Sequence, residues 1–348
     1  MKKRILVFNV GSSSIRYGLF ENKERIYSGI FERLKNKEDF KKAFKKVFHK
    51  LQRQTINVIA HRIVHGGDIK QASEITSEIK NKIKEFSTFA PLHNPNELLI
   101  INLSEKFKIP QYAVFDTSFY SNLPKVAKIY AIPSRISKKY NLQKYGFHGI
   151  SHKYASENMR GKTISCHLGQ GASITAIKDK RVMDTSMGLT PNEGVVMMTR
   201  SGSIAPELIL FLEKKGYNVE NILNSESGLK GISGFSDFRD ILKTINKKES
   251  KLAYDIFVYH ITEFIGSYIA ILNGLDNLIF TGAIGENCSK LRKDICKNFN
   301  FIGLKLNEEK NKNPNSEKII SSANSKIKVF VIKTDEEKVI AEEVLKLI

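Results

Sequence analysis

The sequence predicts an α/β protein of two related domains, and three observations carry that expectation. The chain has 348 residues, enough for two domains at roughly 100–200 residues each, and each could bury a core without disulfide or metal staples. Short β-branched runs recur with helix-spaced segments between them. A strand, a glycine turn and a returning strand occur twice, at Asn9-x-Gly11 and at His167-x-Gly169, 158 positions apart. Two such units facing each other would aim two sets of backbone N–H groups at one anion, as phosphate-binding nests do.

Arg4–Asn9 is apolar and β-branched, Val10-Gly11-Ser12-Ser13 is a turn, and Ile15, Tyr17 and Leu19 alternate with Arg16 and Gly18 at the period of a strand. The first thirty residues thus form a β-meander and not a strand–helix–strand start. Phe40, Ala43, Phe44, Val47, Phe48 and Leu51 recur at helical spacing over Glu38–Gln54. A short strand, Asn57–Ala60, then runs into His61-Arg62-Ile63-Val64-His65-Gly66-Gly67, where glycines make a loop. The second unit opens on the strand Thr163–His167, turns at Gly169-Gln170-Gly171, returns over Ser173–Ile177 and continues through Asp179-Lys180 into Arg181–Asp184. Helices dominate beyond Ser201. In Leu252–Leu272 the residues Phe257, Ile261, Phe264, Tyr268 and Leu272 form one face, and Gly274 ends it. The strand Asn277–Thr281 leads into Gly282-Ala283-Ile284-Gly285-Glu286-Asn287, a glycine-rich turn opening a helix. Asn311–Ser325, rich in Lys, Asn and Ser, is expected to be a surface loop. Lys328–Ile332 is the last strand, and Thr334 or Asp335 would N-cap a terminal helix.

Lys and Arg number 56 against 36 Asp and Glu, a net charge of +20. The lysines fall in short groups (Lys41–Lys50, Lys243–Lys251, Lys305–Lys318) mixed with Asn and Glu, as on solvated helix faces. There is no aromatic RNA-binding motif, zinc finger or long basic arm. No nucleic acid is therefore expected as partner, and the charge suits the attraction of small anions. Cys166, Cys288 and Cys296 are odd in number and lack C-x-x-C spacing, which fits a reducing cytoplasm. Met1-Lys2-Lys3-Arg4 is followed by an apolar run too short for a signal peptide. Phe264–Leu275 falls short of the ~20 apolar residues of a membrane span, so no membrane association is expected.

Gly161-Lys162-Thr163 resembles the end of a P-loop, but position 156 is Ser156 and the tripeptide precedes a strand, so an ordinary turn is expected. No G-x-G-x-x-G follows the first strand, which disfavours a dinucleotide fold. His61/His65 and His148/His152 are spaced i, i+4, which on a helix would suit zinc. The flanking glycines instead make these loops, where a catalytic or phosphate-contacting His is favoured over a core His. Arg62 and Arg200 lie beside glycine-bounded loops and suit clamping of carboxylate or phosphate oxygens; two unrelated surface salt bridges are the plainer alternative. Asp116 ends the apolar strand before Thr117, a position that serves as metal ligand, base or N-cap.

Ten segments, in order, resemble the acetate kinase (acetokinase) family: Asn9-Val-Gly-Ser-Ser-Ser14, His61-Arg-Ile-Val-His-Gly-Gly67, Ala90-Pro-Leu-His-Asn-Pro95, Val114-Phe-Asp-Thr117, Tyr145-Gly-Phe-His-Gly149, Cys166-His-Leu-Gly-Gln-Gly-Ala-Ser173, Asp184-Thr-Ser-Met-Gly-Leu-Thr-Pro191, Thr199-Arg-Ser-Gly202, Phe280-Thr-Gly-Ala-Ile-Gly-Glu-Asn287 and Thr334-Asp-Glu-Glu337. The resemblance implies a two-lobed actin-like ATPase (ribonuclease H-like) fold with duplicated domains and a central cleft. Residues 1–118 with 337–348 would form the N-terminal lobe and residues 119–336 the C-terminal lobe.

It further implies reversible transfer of the γ-phosphoryl of ATP to acetate, giving ADP and acetyl phosphate. Propionate or another short-chain acid is the nearest alternative, and a catalytically weakened regulatory protein a remote one. The implied catalytic residues are Arg62, Asp116, His148 and Arg200. Val64, Leu92, His93, Phe147 and Pro191, with Arg62, would bind the acyl substrate. Asn9, Ser12, Ser14, Arg16, His167, Gly169, Gln170, Gly171, Asp237, Phe238, Arg239, Gly282, Gly285 and Asn287 would contact nucleotide or phosphate. Mg²⁺, or Mn²⁺ in its place, would be held by Asn9 and Glu336, and a homodimer is implied. Arg16, Gln170 and Asp335 stand where the family usually has Lys, Asn and Asn, and Ser203 replaces an acidic residue near Arg200. Much of the chain's shortness relative to the family falls between Tyr27 and His61.

Overall fold

The computed structural model describes residues 3–314 and 319–348. The chain forms two compact units, one of Met1–Ser121, Phe147–Ile150 and Asp335–Ile348, the other of Asn122–Gly146 and Ser151–Thr334.

In the first unit, β1 (Arg4–Val10), β2 (Ser14–Glu21) and β3 (Glu24–Glu32) make the antiparallel meander. Parallel strands β4 (Val58–Ile63) and β6 (Gln111–Phe115) extend it, and β5 (Ser73–Glu74) closes the far edge, in the order β3-β2-β1-β4-β6-β5. The helix Lys37–Lys50 forms where its spacing predicts, begun by Asn36, whose side chain accepts from the Asp39 N–H. Its Phe40, Ala43, Phe44 and Val47 pack on Leu6, Phe8, Leu19 and Ile59, with Phe8 and Phe44 stacked at 5.5 Å. Phe40, Phe44 and Val47 each contribute about 1.5–3 kcal/mol through removal from water. The terminal helix Glu336–Leu345 lies on β1 and β4, burying Val339, Ile340, Ala341 and Val344. Asp335 is its N-cap, accepting from the Lys338 N–H at 3.1 Å and pairing with Arg25.

The second unit repeats the topology. Antiparallel β7 (Lys162–Leu168), β8 (Ala172–Lys178) and β9 (Arg181–Thr185) correspond to the meander, and parallel β10 (Asn277–Thr281) and β11 (Lys328–Val331) to β4 and β6, in the order β11-β10-β7-β8-β9. The duplication therefore extends well beyond the two glycine turns. Gly161 lies just before β7, as an ordinary turn requires.

Several expectations are corrected. The strand thought to end at Ala60 continues to Ile63 because β6 pairs with it through Phe115, so His61 and Arg62 are strand residues. The supposed loop Asn311–Ser325 is partly ordered: Asn311 is buried in the helix Glu308–Lys312, and Ile319 and Ser321 bridge to Phe330 and Leu306. Its residues 315–318, which include the end of the Lys305–Lys318 group, lie outside the described residues. The helix Lys248–Leu272 is long and apolar enough to cross a membrane by length and composition, although Phe264–Leu275 alone is not. Ala253, Tyr254, Phe257, Ile261, Ile265, Tyr268 and Leu272 form its buried stripe, against β8 and the helix Gly228–Ser233. Phe264, expected in that stripe, is half-buried beside it.

Candidate active site

In the first unit, adjacent parallel strands bring Arg62 and Asp116 together. Arg62 comes from the end of β4 and Asp116 from the residue after β6. Arg62 Nη2 donates to Asp116 Oδ2 at 2.6 Å and Nη1 to Asn9 Oδ1 at 3.3 Å, while Nε lies 4.0 Å from Glu336 Oε2. Asn9, at the end of β1, donates through Nδ2 to Glu336 Oε2 and to Glu337 Oε1, each at 2.8 Å. Two strand ends, the residue after a third and the start of the terminal helix thus meet in one charged cluster.

Its charges are strongly coupled. Burial opposes the Arg62 cation, but Asp116 and Glu336 outweigh it and hold the guanidinium above its ordinary pKa. Burial pushes the Asp116 carboxyl up, and Arg62 pulls against that shift. Asp116 is not an N-cap; its second oxygen accepts from the Ile150 N–H at 3.4 Å. Neither it nor Arg62 belongs to a surface salt bridge, since Asp116 is fully buried and the Arg62 side chain only 11% exposed.

The segment Phe147–Ile150 is drawn onto this unit by close contacts. Phe147 is buried edge-on to His65, and its carbonyl accepts from Tyr120 Oη at 2.7 Å. A Cβ on Gly149 would stand 1.9 Å from the Asp116 carbonyl oxygen, so only glycine permits this approach. His148 is left-handed at φ 53°, a conformation costing a non-glycine residue roughly 1–2 kcal/mol and common at functional positions. Val64 is buried, Leu92 exposed, and His93 half-buried at the start of the helix Asn94–Ser104. In the β1–β2 turn the Gly11 N–H donates to the Ser14 carbonyl at 2.9 Å, with Ser12 exposed and Ser14 half-buried; Arg16 is exposed on β2.

The other three paired histidines are core residues, contrary to expectation. His61 stacks on Phe8 and bonds Gln111 at 2.8 Å, and burial depresses its pKa to about 4. His65 stacks on Phe86 at 4.7 Å. His152 lies within the helix Gly149–Ser156 and bonds Ser165 and Ser173 at 2.9 and 2.8 Å. Each ring is buried; His65 does lie in the loop after β4, but Gly66 and Gly67 there pack closely on Phe115 and Phe86.

In the second unit several of the remaining candidates surround the β7–β8 turn and others lie on nearby sequence segments. The Gly169 N–H donates to the Gly171 carbonyl at 2.9 Å, Gln170 reaches the Ser236 carbonyl at 3.4 Å, and its own carbonyl accepts from the Met198 N–H at 3.3 Å. A Cβ on Gly282, at φ +77°, would lie 2.7 Å from the Leu168 carbonyl, so glycine is needed where the helix Gly282–Asn287 meets β7. Gly285 is buried and Asn287 exposed at the two sides of that helix. His167 bonds Ser151 at 2.8 Å. Asp237 caps the helix Phe238–Lys243, and Arg239, bonded to it, holds its carboxyl down at about 2. Phe238 is buried against Phe257 and Tyr254, leaving chiefly its backbone to a ligand.

Arg200 differs from Arg62. Nη1 donates to the Pro191 carbonyl at 2.5 Å, and among the described residues no carboxylate lies within ion-pair distance. Burial lowers its pKa to about 10, so it remains a cation with no counter-ion among the described residues. Ser203 bonds Gly194: its Oγ accepts from the Gly194 N–H at 3.0 Å and its N–H donates to the Gly194 carbonyl at 2.9 Å. Leu189, two residues before Pro191, is held by the neighbouring pair Tyr130 and Glu193, both of which accept from its N–H.

The sequence pattern of the acetokinase family matches residues 39–342. The chain belongs to the acetokinase family. It is 41% identical to the acetate kinase of Carboxydothermus hydrogenoformans, over 99% of each chain. Among solved structures, a propionate kinase from Francisella tularensis is 36% identical with a TM-score of 0.89, covering 98% of each chain. The acetate kinase of Porphyromonas gingivalis is 32% identical with a TM-score of 0.88, covering 99% of each. The duplicated α/β fold of this acetokinase-family chain is shared with both.

Glu97 was not among the sequence candidates. It is buried on the helix Asn94–Ser104 with both carboxylate oxygens on the Val64 N–H, at 3.3 and 3.1 Å, and burial raises its pKa to about 8. The available signal was its place on the same helical face as Ile100, Ile101 and Ser104. An acid raised from its ordinary 4.5 to about 8 favours the folded state fully below the ordinary value and loses this contribution as pH rises toward the raised one. Glu97→Gln should therefore melt more like wild type at pH 5 and gain at least ~1 kcal/mol relative to it by pH 8. Thermal melts across that range would show it; parallel curves would mean that Glu97 does not titrate there.

Proposed function

We propose that this acetokinase-family chain is an acetate kinase that transfers the γ-phosphoryl group of ATP to acetate by direct in-line displacement. An acetate oxygen attacks the γ-phosphorus, the bond to the ADP oxygen breaks, and acetyl phosphate forms. The observation that carries this reading is the fixed Arg62, oriented by buried Asp116 beside Glu336, within a full-length family match. The reaction joins two anions, so charge neutralisation and alignment do most of the work. A carboxylate needs no deprotonation to attack. Asp116, engaged by Arg62, therefore acts by orienting that cation and not as a base. Arg62 and Arg200 would oppose carboxylate–phosphate repulsion, and His148 would donate to the equatorial oxygens of the transferring group.

Mg²⁺ suits this donor set, since it keeps waters and takes one or two carboxylates together with substrate phosphates. Glu336 would hold it, and when bound it would neutralise the β- and γ-phosphate oxygens. Asn9 has its Oδ1 on Arg62 and its Nδ2 on both glutamates, so we assign it to holding the Glu336 carboxylate. Gly169–Gly171, Asp237–Arg239, Gly282, Gly285 and Asn287 would receive the nucleotide. Val64, Leu92, Phe147 and Pro191 would surround the acyl chain, with His93 beside them. A cytoplasmic homodimer is part of this reading; Leu208, Leu210, Phe211 and Tyr217 are exposed apolar side chains that a second copy could cover, and sedimentation should return twice the mass of one chain.

Propionate is the second reading, favoured by the Francisella relative. One methylene is worth only ~1–3 kcal/mol in such a pocket. Trapping acyl phosphate with hydroxylamine from acetate, propionate and butyrate, with and without ATP and Mg²⁺, tests class and substrate together; no hydroxamate from any acid would end the proposal. Val64→Ala should improve propionate and butyrate over acetate by about tenfold, the low end of the range for one methylene. An unchanged ratio would place Val64 outside the pocket.

A further inference from the structure

Arg292 is a buried cation that the reaction above does not use. It is 1% exposed, yet among the described residues all its hydrogen bonds go to neutral acceptors. Nη1 donates to the carbonyls of Gly285 and Glu286, each at 2.8 Å, Nε to Asn311 Oδ1 at 2.8 Å and Nη2 to the Asn311 carbonyl at 2.6 Å. Burial lowers its pKa, so the cation is kept at a cost that these bonds must offset.

Its contacts explain its retention. The helix Gly282–Asn287 has only six residues, and the last carbonyls of a helix have no intrahelical donor. Arg292, from the following helix Ser289–Cys296, supplies donors to two of them. A planar guanidinium can meet the Gly285 and Glu286 carbonyls through one nitrogen while its other nitrogens grip Asn311; an ammonium lacks that fork. Because the peptide unit is planar, fixing the Gly285 carbonyl also fixes the Glu286 N–H opposite it. The other end of the helix is tied separately: Glu286 Oε1 accepts from the N–H groups of Gly282 and Thr334, both at 3.0 Å. Ala283 and Asn287 stay exposed on this clamped turn.

We infer that Arg292 is a positioning residue for nucleotide binding, holding the Gly282–Asn287 turn in register by bonding its terminal carbonyls to Asn311. The inference rests on the reading of Gly285 and Asn287 as nucleotide contacts. Its test is Arg292→Lys in the full chain, with KM for ATP and for acetate measured separately and ADP affinity measured by calorimetry. KM for ATP and Kd for ADP should each rise about tenfold, the scale of losing one or two charge-assisted hydrogen bonds, while KM for acetate and kcat at saturating ATP stay within about twofold. A folded variant with unchanged ADP affinity overturns the inference, as does an equal rise in both KM values with a matching fall in kcat. If Arg292→Lys does not fold, Asn311→Ala decides: it frees Nε and should weaken ADP binding severalfold, and unchanged affinity overturns the inference. If the wild-type chain itself binds no ADP or ATP, the proposed function fails first and the inference with it.

Discussion

Arg62→Ala is expected to lower kcat by about 10²-fold or more, the scale of losing one preorganised charge donor, and also to destabilise the protein. The second effect follows from the buried Asp116 carboxylate left behind. Removing one partner of a buried ion pair costs about 3–5 kcal/mol when the remaining group stays charged. Asp116 can relieve part of that cost by binding a proton, because burial already pushes its carboxyl up and Arg62 would no longer oppose the shift. An acid whose folded pKa lies above its unfolded value stabilises the fold at low pH and loses that contribution as pH rises. The deficit of Arg62→Ala against wild type should therefore be smaller at pH 5.5 than at pH 8 in denaturant melts. Adding Asp116→Asn should recover much of the stability at pH 8 and none of the turnover, because the orphaned charge is gone while the cation is still missing. Near-normal hydroxamate formation by Arg62→Ala, or a deficit independent of pH, would refute this account.

The double variant also separates what could be read in the residues from what could not. Local signals sufficed wherever a residue's neighbours in sequence decide its state. The period of two in Ile15, Tyr17 and Leu19, the helical spacing from Phe40 to Leu51, and the glycine turns at Gly11 and Gly169 all correspond to observed elements. Reading failed where a distant strand decides. His61 and Arg62 looked like loop residues beside Gly66 and Gly67, but pairing of β4 with β6 carries the strand to Ile63. That extension buries one side chain against Phe8 and sends the next to Asp116. Glycines near His65 and His152 suggest openness in the sequence, but Gly66, Gly67 and Gly149 serve close packing. The buried acids show the same limit. Glu97 and Glu337 each lie on the inward face of a helix, Glu337 at three-, four- and seven-residue spacing before Ile340, Ala341 and Val344. Periodicity alone could have singled them out, but their partners Val64 and Asn9 are 33 and 328 positions away. Only the assembled sheet supplies those contacts.

Arg200→Ala should show the opposite balance: turnover down by about 10²-fold or more, with stability within ~1 kcal/mol of wild type. Among the described residues Arg200 has no carboxylate to orphan; its bond goes to the Pro191 carbonyl, which can turn to water when the guanidinium is gone. Burial lowers its pKa to about 10, so at neutral pH the cation persists with no counter-ion among the described residues, and an arriving anion would relieve that imbalance. Removing it should thus leave the empty enzyme nearly unchanged or slightly steadier, while the rise in Tm that inorganic phosphate or ATP gives wild type should shrink. Arg200→Lys should recover only part of the turnover, because a point charge can reach the carbonyl or the phosphoryl oxygens but cannot present two parallel donors. The comparison with Arg62→Ala is what makes the result informative, since a merely structural arginine would lose stability together with rate. Turnover within twofold of wild type for Arg200→Ala, or a loss of stability as large as that of Arg62→Ala at pH 8, would contradict the role assigned to this uncompensated charge.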